Sequence, residues 1–261
     1  MTNIVVLVKQ VPDTYSERKL SGADHTLDRE SADAVLDEIN EKAVEEALKI
    51  KEAGEGEVTV LSVGPDRATD AIRKALSMGA DKAIHVSDEA LHGSDAIATA
   101  KVIAAAIAKV ESYDLIIAGN ESSDGRGGAV PAILAELLGL PQVTYAREVT
   151  VEGTTIKAVR ETEDGLTHLE ATLPAVVSVG EKINEPRYPS FKGIMAAKKK
   201  PVETFTIADL GVDAGEVGLA NAWSTVTEAS PKPPRTAGEK TEDEGDGGTK
   251  VAEYLVGQKL I

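Results

Sequence analysis

The fold is decided by one stretch of the chain, Asp114-Leu-Ile-Ile-Ala-Gly-Asn-Glu-Ser-Ser-Asp-Gly-Arg-Gly-Gly-Ala-Val-Pro-Ala-Ile-Leu-Ala-Glu-Leu-Leu138. An apolar run is followed by a loop of small residues, and apolar residues then recur at helical spacing from Val130. This order predicts a strand, a glycine-rich loop and a helix. Gly125, Gly127 and Gly128 let the backbone approach an anion closely and point N–H groups at it, and the helix N-terminus adds partial positive charge. The stretch therefore indicates a phosphate-binding loop, with a plain mobile loop between strand and helix as the alternative.

This loop does not match the common phosphate-binding motifs. It lacks the Gly-Lys-Ser/Thr that completes a Walker A motif, and the GxGxxG fingerprint of dinucleotide-binding folds does not occur in it. The loop alone leaves the ligand open.

Composition narrows the class of protein. The chain has 261 residues, 42% of them hydrophobic, which suits one large domain or two small ones. Its net charge of −16 disfavours nucleic acid as a partner, and the lack of cysteine excludes disulfides and thiolate metal sites. The four histidines are scattered, so we predict no metal site. We see no signal peptide and no apolar run near the ~20 residues of a membrane span, and we expect a cytoplasmic protein.

Strands and helices alternate through the first half of the chain. Short apolar runs predict strands over 4–8, 58–63, 83–86 and 115–118. The helices between and after them are predicted over 33–53, from the Gly-Pro-Asp at 64–66 to Gly79, from a Ser94 cap to Val110, and from Val130. The pattern predicts an α/β fold with a mostly parallel, doubly wound, Rossmann-like sheet. Ligands of such sheets bind beyond the carboxyl ends of the strands.

The pattern changes after Pro141. Four β segments are predicted, over 143–151, 154–160, 166–173 and 176–179, with hairpin turns at 152–153 and 164–165. No linker precedes them, so we expect them to extend the sheet. His85 lies alone within a predicted strand, and we interpret it as a packed or edge histidine.

Residues 185–200 stand out by their charge. They carry five cationic residues and one acidic residue within an acidic protein, together with the aromatic and apolar residues Tyr188, Phe191, Ile194 and Met195. A proline-stiffened, basic, aromatic loop suits protein docking, whereas the alternative is a solvated loop that leads into a helix. We place this loop in an α/β domain over residues 1–210. Residues 211–261 are predicted to form an extended C-terminal arm on a partner, with little fold over 230–250 and helical spacing over 251–261.

Several motifs together resemble the β subunit of electron transfer flavoprotein, and the actinobacterial members in particular. They span nearly the whole chain: Val-Leu-Val-Lys-Gln-Val-Pro-Asp (6–13), Ala-Val-Glu-Glu-Ala-Leu (43–48), Ala-Leu-Ser-Met-Gly-Ala-Asp (75–81), Leu-Pro-Ala-Val-Val (173–177), Asn-Glu-Pro-Arg-Tyr-Pro-Ser-Phe-Lys-Gly-Ile-Met-Ala-Ala-Lys-Lys-Lys (184–200) and Pro-Pro-Arg-Thr-Ala-Gly (233–238).

The resemblance implies a heterodimer with an α subunit that carries FAD. Electrons from acyl-CoA and related dehydrogenases would pass through this flavin towards the quinone pool. The β subunit would be an electron-carrier subunit without catalysis of its own, and would hold a structural AMP. Its loop over residues 11–15 and Ile39 would form one wall over the flavin.

The resemblance also assigns residues to roles. The AMP pocket would comprise Leu7, Lys9, Asp37, Glu38, Ile39, Asn40, Val63, Gly119, Asn120, Glu121, Ser122, Ser123, Asp124, Gly125, Arg126, Gly127, Gly128, Ala129 and Val130. Dehydrogenase docking would involve Arg187, Tyr188, Ile194, Met195 and Phe191, the last at a position where leucine is common. Glu161 matches an acidic residue implicated in controlling the mobile flavin domain.

The chain departs from the family pattern at two places in this pocket. Asp37-Glu-Ile-Asn40 replaces an Asn-Pro-Phe-type segment, so the two carboxylates must point away from a phosphate or contact ribose and base. The glycine-rich loop differs from the common Gln-Ala-Ile-Asp-Gly-Asp form, and we expect Arg126 to be the only cation near it.

Three alternatives stay open. Some relatives bind a second FAD in place of AMP and bifurcate electrons. A nucleotide-sensing module of the universal-stress type explains the sheet and the loop but not the basic segment. An ATP-using enzyme ranks last, since no kinase-type or pyrophosphatase motif is present.

Overall fold

The computed structural model describes residues 2–235, 238, 240 and 242–261. Within it, the chain divides into two units, Met1–Thr227 and Glu228–Ile261. The first unit therefore extends past residue 210. Val217 is buried in its core, and the Leu219 N–H donates to the His92 carbonyl at 2.8 Å.

The short apolar runs form the strands of the first unit. In chain order these are β1 (Ile4–Leu7), β2 (Gln10–Pro12), β3 (Ala34–Leu36), β4 (Val58–Val63), β5 (Lys82–Val86), β6 (Leu115–Gly119), β7 (Gln142–Glu152), β8 (Thr155–Thr162), β9 (Gly165–Thr172), β10 (Ala175–Val179) and β11 (Val202–Phe205). Nine of them make one sheet in the order β11-β5-β4-β1-β6-β10-β7-β8-β9, and β2 pairs with β3 apart from it. The strands from β11 to β7 are parallel, whereas β8 is antiparallel to both of its neighbours. This confirms the parallel sheet and its hairpin additions.

Helices cover both faces of the sheet. They are α1 (Glu38–Ala53), α2 (Thr69–Met78), α3 (Ala96–Ile107), α4 (Val130–Leu138) and α5 (Phe191–Ala197), and α6 (Gly247–Gly257) lies in the second unit. One apolar cluster joins Val44 of α1 and Ile72 of α2 to one face, and another joins Ile103 of α3 and Leu134 of α4 to the other. Because successive side chains of a buried strand point to opposite faces, a continuous apolar run supplies both clusters.

The order of the strands creates a topological switch point. From β1 the chain builds β4 and β5 on one side, and then returns to form β6 on the other side of β1. The carboxyl ends of β1 and β6 therefore lead their loops away from each other and leave a crevice between them. Lys9 follows β1 at this crevice, and the glycine-rich loop over residues 119–130 follows β6.

Three predicted helix boundaries are wrong. The first helix begins at Glu38 instead of residue 33, because Ala34–Leu36 pairs with Gln10–Pro12 as a strand. The cap of α3 is Asp95, whose carboxylate accepts from the Ala98 N–H at 2.8 Å, and the helix ends at Ile107. Asp and Ser are comparable caps, and the adjacent pair in the sequence does not separate them.

The remaining local predictions concern His85 and the second unit. His85 is 2% exposed and its ring lies 3.1 Å from the Gly64 carbonyl, which makes it a packed core histidine. In the second unit, Val251, Tyr254 and Leu255 lie within α6, but this helix begins at Gly247, within the stretch predicted to have little fold, and ends at Gly257, before Leu260. Thr236 and Ala237 of the predicted arm motif lie outside the described residues. No helix in the described part of the chain has the length and apolar character needed to cross a bilayer.

Candidate functional site

Asp37 joins helix α1 to the glycine-rich loop. Its side chain is fully buried, and one carboxylate oxygen accepts from the N–H groups of Ile39 at 3.0 Å and Asn40 at 3.1 Å. The other oxygen accepts from the Ser123 N–H at 2.7 Å. Three backbone donors thus surround this carboxylate, whereas Glu38 beside it is exposed. Both oxygens of Asp37 are engaged by the backbone, and how the two carboxylates lie relative to a phosphate stays a prediction.

Asn40 and Gly119 fix the spacing between the strand ends. The Asn40 side-chain oxygen accepts from the Lys9 N–H at 2.7 Å. A Cβ atom at Gly119 would lie 2.6 Å from the Asn40 amide nitrogen and 3.0 Å from a methyl carbon of Ile39. Only glycine fits so close an approach without a shift of its neighbours. Leu7 and Ile39 are buried beneath this contact, and Val63 is half-buried at the end of β4.

Asp124 is the ionic centre of the loop. Its side chain is only 2% exposed, and the Lys9 ammonium lies 2.8 Å from one carboxylate oxygen while the Arg29 guanidinium lies 3.4 Å from the other. Burial alone would raise the pKa of Asp124, but Lys9, Ser122 and Arg29 together lower it to about 2. Asp124 is therefore ionised at neutral pH and holds two cations at the crevice.

The long segment between β2 and β3 supplies cations that sequence analysis missed. Arg29 comes from this segment, and the Arg18 guanidinium donates to the Ser123 carbonyl at 2.8 Å. Arg126 was expected to be the only nearby cation, and this expectation is wrong. Arg126 lies 3.8 Å from Glu121 with its side chain 69% exposed, while Lys9, Arg18 and Arg29 reach the loop.

The loop carries backbone donors that suit an anion. Among the described residues, no acceptor is found for the N–H groups of Gly127, Gly128 or Ala129, which precede helix α4. The Ser123 hydroxyl and the Asn120 side-chain oxygen are buried and likewise find no partner in the described part of the chain. Consecutive free N–H groups beside a helix N-terminus and lysine and arginine side chains fit a phosphate group. The arrangement is therefore chemically suited to the phosphate of a nucleotide.

The basic segment over residues 185–200 displays an apolar surface. Ser190 caps α5 by accepting from the Gly193 N–H at 3.0 Å, so the second predicted alternative, a loop leading into a helix, describes its backbone. Four of the predicted docking residues are nevertheless exposed: Tyr188 (94%), Phe191 (80%), Met195 (49%) and Ile194 (46%).

Two of the five cations of this segment serve the fold. The Arg187 guanidinium lies 2.8 Å from a carboxylate oxygen of Glu45, whose side chain is 6% exposed, and also binds Glu52. The Lys200 ammonium donates to the Leu76 carbonyl at 2.9 Å and to the Ala80 carbonyl at 2.5 Å. The segment is therefore fastened at both ends, and the apolar residues between them face solvent.

Glu161 belongs to a separate ionic group on the hairpin strands. Its carboxylate lies 3.0 Å from both the Arg147 guanidinium and the Lys182 ammonium. A hydrogen bond from Lys182 is the main cause that lowers the pKa of Glu161. The structure thus places Glu161 apart from the glycine-rich loop, and no described contact joins it to residues 185–200.

Comparison with known proteins places these features in a family. The sequence model of the family described as the electron transfer flavoprotein domain matches residues 24–210 of this chain. The chain belongs to the electron transfer flavoprotein family. It is 65% identical over its full length, and over the full length of the relative, to the electron transfer flavoprotein subunit beta of Mycobacterium bovis. The corresponding subunit of Mycobacterium leprae is 64% identical with the same coverage. Within the family, the chain is therefore of the β-subunit, actinobacterial type.

A more distant member of the electron transfer flavoprotein family is also similar. The caffeyl-CoA reductase-Etf complex subunit CarD of Acetobacterium woodii is 37% identical over 90% of this chain and 89% of that protein. The resemblance stated from the motifs is thus confirmed, and the universal-stress-type alternative gives way to the electron transfer flavoprotein family.

Proposed function

We propose that the chain is the β subunit of a heterodimeric electron transfer flavoprotein, in which it binds one AMP and helps to enclose the FAD of the α subunit. The observation that carries the AMP proposal is the glycine-rich loop at the switch point. Three adjacent N–H groups of this loop find no acceptor among the described residues, and its Asp124 carboxylate binds Lys9 and Arg29. Residues 7, 9, 37–40, 63 and 119–130 form this pocket. Asp37 acts in it as a brace for the loop, since both of its oxygens are bonded to the backbone.

The chemistry of this subunit is binding and positioning. When bound, FAD would supply the redox chemistry, and this chain would shape one wall over it through residues 11–15 and Ile39. The electrons would come from acyl-CoA and related dehydrogenases and continue towards a quinone-linked acceptor, in the cytoplasm. Residues 228–261, the part of the predicted arm that lies outside the first unit, would pack on the α subunit.

The docking surface for dehydrogenases is the apolar patch of Tyr188, Phe191, Ile194 and Met195. An aromatic anchor of this kind contributes much of the affinity of an interface, and the charged rim mainly raises the association rate. Lys192, Lys198 and Lys199 are the cations of the segment that can serve as the rim, since Arg187 and Lys200 are engaged within the fold. Fast and weak association suits a carrier that must leave after each transfer.

The experiment is to co-express this chain with its α subunit, purify the complex, denature it and identify the released nucleotides by mass spectrometry. FAD and AMP in equal amounts are expected. Two FAD per complex without AMP would indicate the bifurcating alternative. Failure to copurify with a flavin-bearing partner would contradict the proposed heterodimer.

A further inference from the structure

The long segment over residues 13–33 crosses to the glycine-rich loop and makes two kinds of contact with it. Arg18 donates to the main-chain carbonyl of Ser123 at 2.8 Å. Arg29 lies 3.4 Å from the buried carboxylate of Asp124 and also donates to the Gln10 carbonyl at 3.3 Å. Composition alone gives this segment no reason to be ordered, because it is polar and carries no helical or strand periodicity.

The segment also makes contacts that do not involve the side chains of Arg18 and Arg29. Leu20 and Leu27 form an antiparallel bridge, and the Asp28 N–H donates to the Lys19 carbonyl at 2.9 Å. Beyond the arginines, the Asp24 carboxylate lies 2.9 Å from the His92 ring. The Arg67 guanidinium donates to the Arg29 carbonyl at 2.7 Å. Loss of the two arginine side chains would therefore leave the segment attached elsewhere.

Two cations share one carboxylate at the loop. Lys9 and Arg29 both bind Asp124, whereas Asp37, which contacts the loop from outside, binds main-chain N–H groups with both of its oxygens. The Arg18 partner is an uncharged carbonyl. Cations held close together repel one another, and an anion placed among them removes this cost. A bound phosphate and the two arginines should therefore stabilise each other's positions.

We propose that Arg18 and Arg29 are positioning residues that fasten residues 13–33 across the glycine-rich loop and couple the order of this segment to occupancy of the nucleotide site. The inference rests on the proposed AMP site and adds to it a reciprocal linkage. If the nucleotide orders the segment, fastening of the segment must strengthen binding of the nucleotide by the same factor. Tyr15, which is 97% exposed near the start of the segment, would then be presented in a fixed position only in the nucleotide-bound protein.

The test is amide hydrogen exchange of the purified complex, read over residues 13–33, for the wild type and for Arg18→Gln/Arg29→Gln. Proteolysis is unsuitable, since the substitutions themselves remove tryptic sites. Lys19→Gln is the matched control. Lys19 is a neighbouring cation whose ammonium lies 3.4 Å from exposed Glu17 and makes no described contact with the glycine-rich loop. Arg18→Lys/Arg29→Lys tests rescue by retained charge.

We expect amide exchange over residues 13–33 to become about tenfold faster or more in the double glutamine variant. This corresponds to a loss of about 1.4 kcal/mol in the free energy of local opening. AMP should then bind more weakly by the same factor, so that a smaller dilution of the complex releases half of it. The double lysine variant should recover part of the exchange protection and part of the AMP affinity. Lys19→Gln should match the wild type. Unchanged exchange in the double glutamine variant would overturn the inference.

The outcome is separable from that of the proposed function. If the wild-type complex contains AMP but the double variant shows wild-type exchange, the coupling fails while the AMP site stands. If the complex contains no AMP and inorganic phosphate or AMP added to it leaves exchange over 13–33 unchanged, both the linkage and the AMP site are contradicted. If added AMP slows this exchange in the wild type and not in the double variant, the linkage is supported even where the purified complex has lost its nucleotide.

Discussion

The buried carboxylate of Asp37 accepts a hydrogen bond from the Ser123 N–H at 2.7 Å, so that the residue which caps α1 also anchors the glycine-rich loop. The two residues are 86 positions apart in the chain. The switch point of the sheet brings them together, since α1 begins beyond β1 and the loop begins beyond the adjacent strand β6. The glycine-rich loop is therefore braced by the protein itself.

Replacement of Asp37 by alanine should be strongly destabilising. It removes the cap of α1 and leaves the Ser123 N–H without its acceptor, for a combined cost of about 2–4 kcal/mol. Urea unfolding of the isolated chain measures this cost. Glu38→Gln is the control, since Glu38 is exposed and its described bond is a 3.5 Å contact from the Thr14 hydroxyl. Equal stability of the two variants would contradict the bracing role of Asp37.

Gly119→Ala and Gly127→Ala form a matched pair within one loop. An added Cβ would meet Asn40 at 2.6 Å at position 119, whereas at position 127 nothing lies within 4 Å. Overpacking of this kind costs about 1–3 kcal/mol. We expect a lower unfolding midpoint for Gly119→Ala and an unchanged midpoint for Gly127→Ala. A lower unfolding midpoint for Gly127→Ala than for Gly119→Ala would contradict the close approach of Gly119 to Asn40.

Stability should depend on pH through Asp124. The pKa of this carboxyl is lowered in the folded chain from 3.8 to about 2, so the ionised form favours the folded state. The contribution is fully present above pH 3.8 and is lost as the pH falls towards 2. It amounts to at most about 2 kcal/mol. Urea titrations should therefore show that the stability difference between wild type and Asp124→Asn shrinks over this interval, and a constant difference would contradict the assignment.

Substitution of Arg187 should lower the stability of the folded chain, because this residue pairs with Glu45 within the fold. Its removal leaves the Glu45 carboxylate, whose side chain is 6% exposed, without its cation, and an unpaired buried charge costs about 3–5 kcal/mol. The double variant Glu45→Gln/Arg187→Gln should recover much of the loss, because no charge is then left buried alone. Thermal unfolding of the single and double variants measures this. Equal unfolding midpoints for Arg187→Gln and wild type would show that the ion pair with Glu45 does not stabilise the fold.

Phe191→Ala should slow the reduction of the complex by acyl-CoA dehydrogenases about tenfold, without loss of flavin. An exposed aromatic anchor at an interface typically contributes more than about 1 kcal/mol. Leu166→Ala is the control, since Leu166 is 58% exposed on β9 and lies outside the docking segment. Stopped-flow measurement of the second-order rate distinguishes the two, and identical rates would exclude Phe191 as the anchor.

The sequence allowed the sheet to be predicted because its central strands are buried on both faces and appear as short, mainly apolar runs. The run over 58–63 matches β4 at both ends, and the hairpin segments were placed to within two residues. The start of α1 was misplaced because the pairing of Ala34–Leu36 with Gln10–Pro12 is not encoded in a local period. Short strands of this kind form only when the partner is present.

Some residues of the candidate site could likewise be predicted from the sequence, and others could not. Glycine-rich backbone at a strand end is a local signal, and Gly125, Gly127 and Gly128 were selected from it, whereas Gly119 and Asp124 were assigned through the family resemblance. Arg18 and Arg29 could not, because they come from a polar segment without periodicity and reach the loop across about 100 residues of chain. Arg187 was assigned to docking from the charge of its neighbours, and its ion pair with Glu45 depends on how that segment packs on α1.

The nucleotide content of the wild-type complex tests the central claim most directly. The complex of this chain with its α subunit should release one AMP and one FAD when it is denatured, as counted by mass spectrometry against internal standards. The N–H groups at residues 127–129, which find no acceptor within the described part of the chain, and the cations bound to Asp124 lead to that result. A complex that carries its flavin but releases no AMP, or that releases a second FAD instead, would contradict the assignment of this loop to AMP.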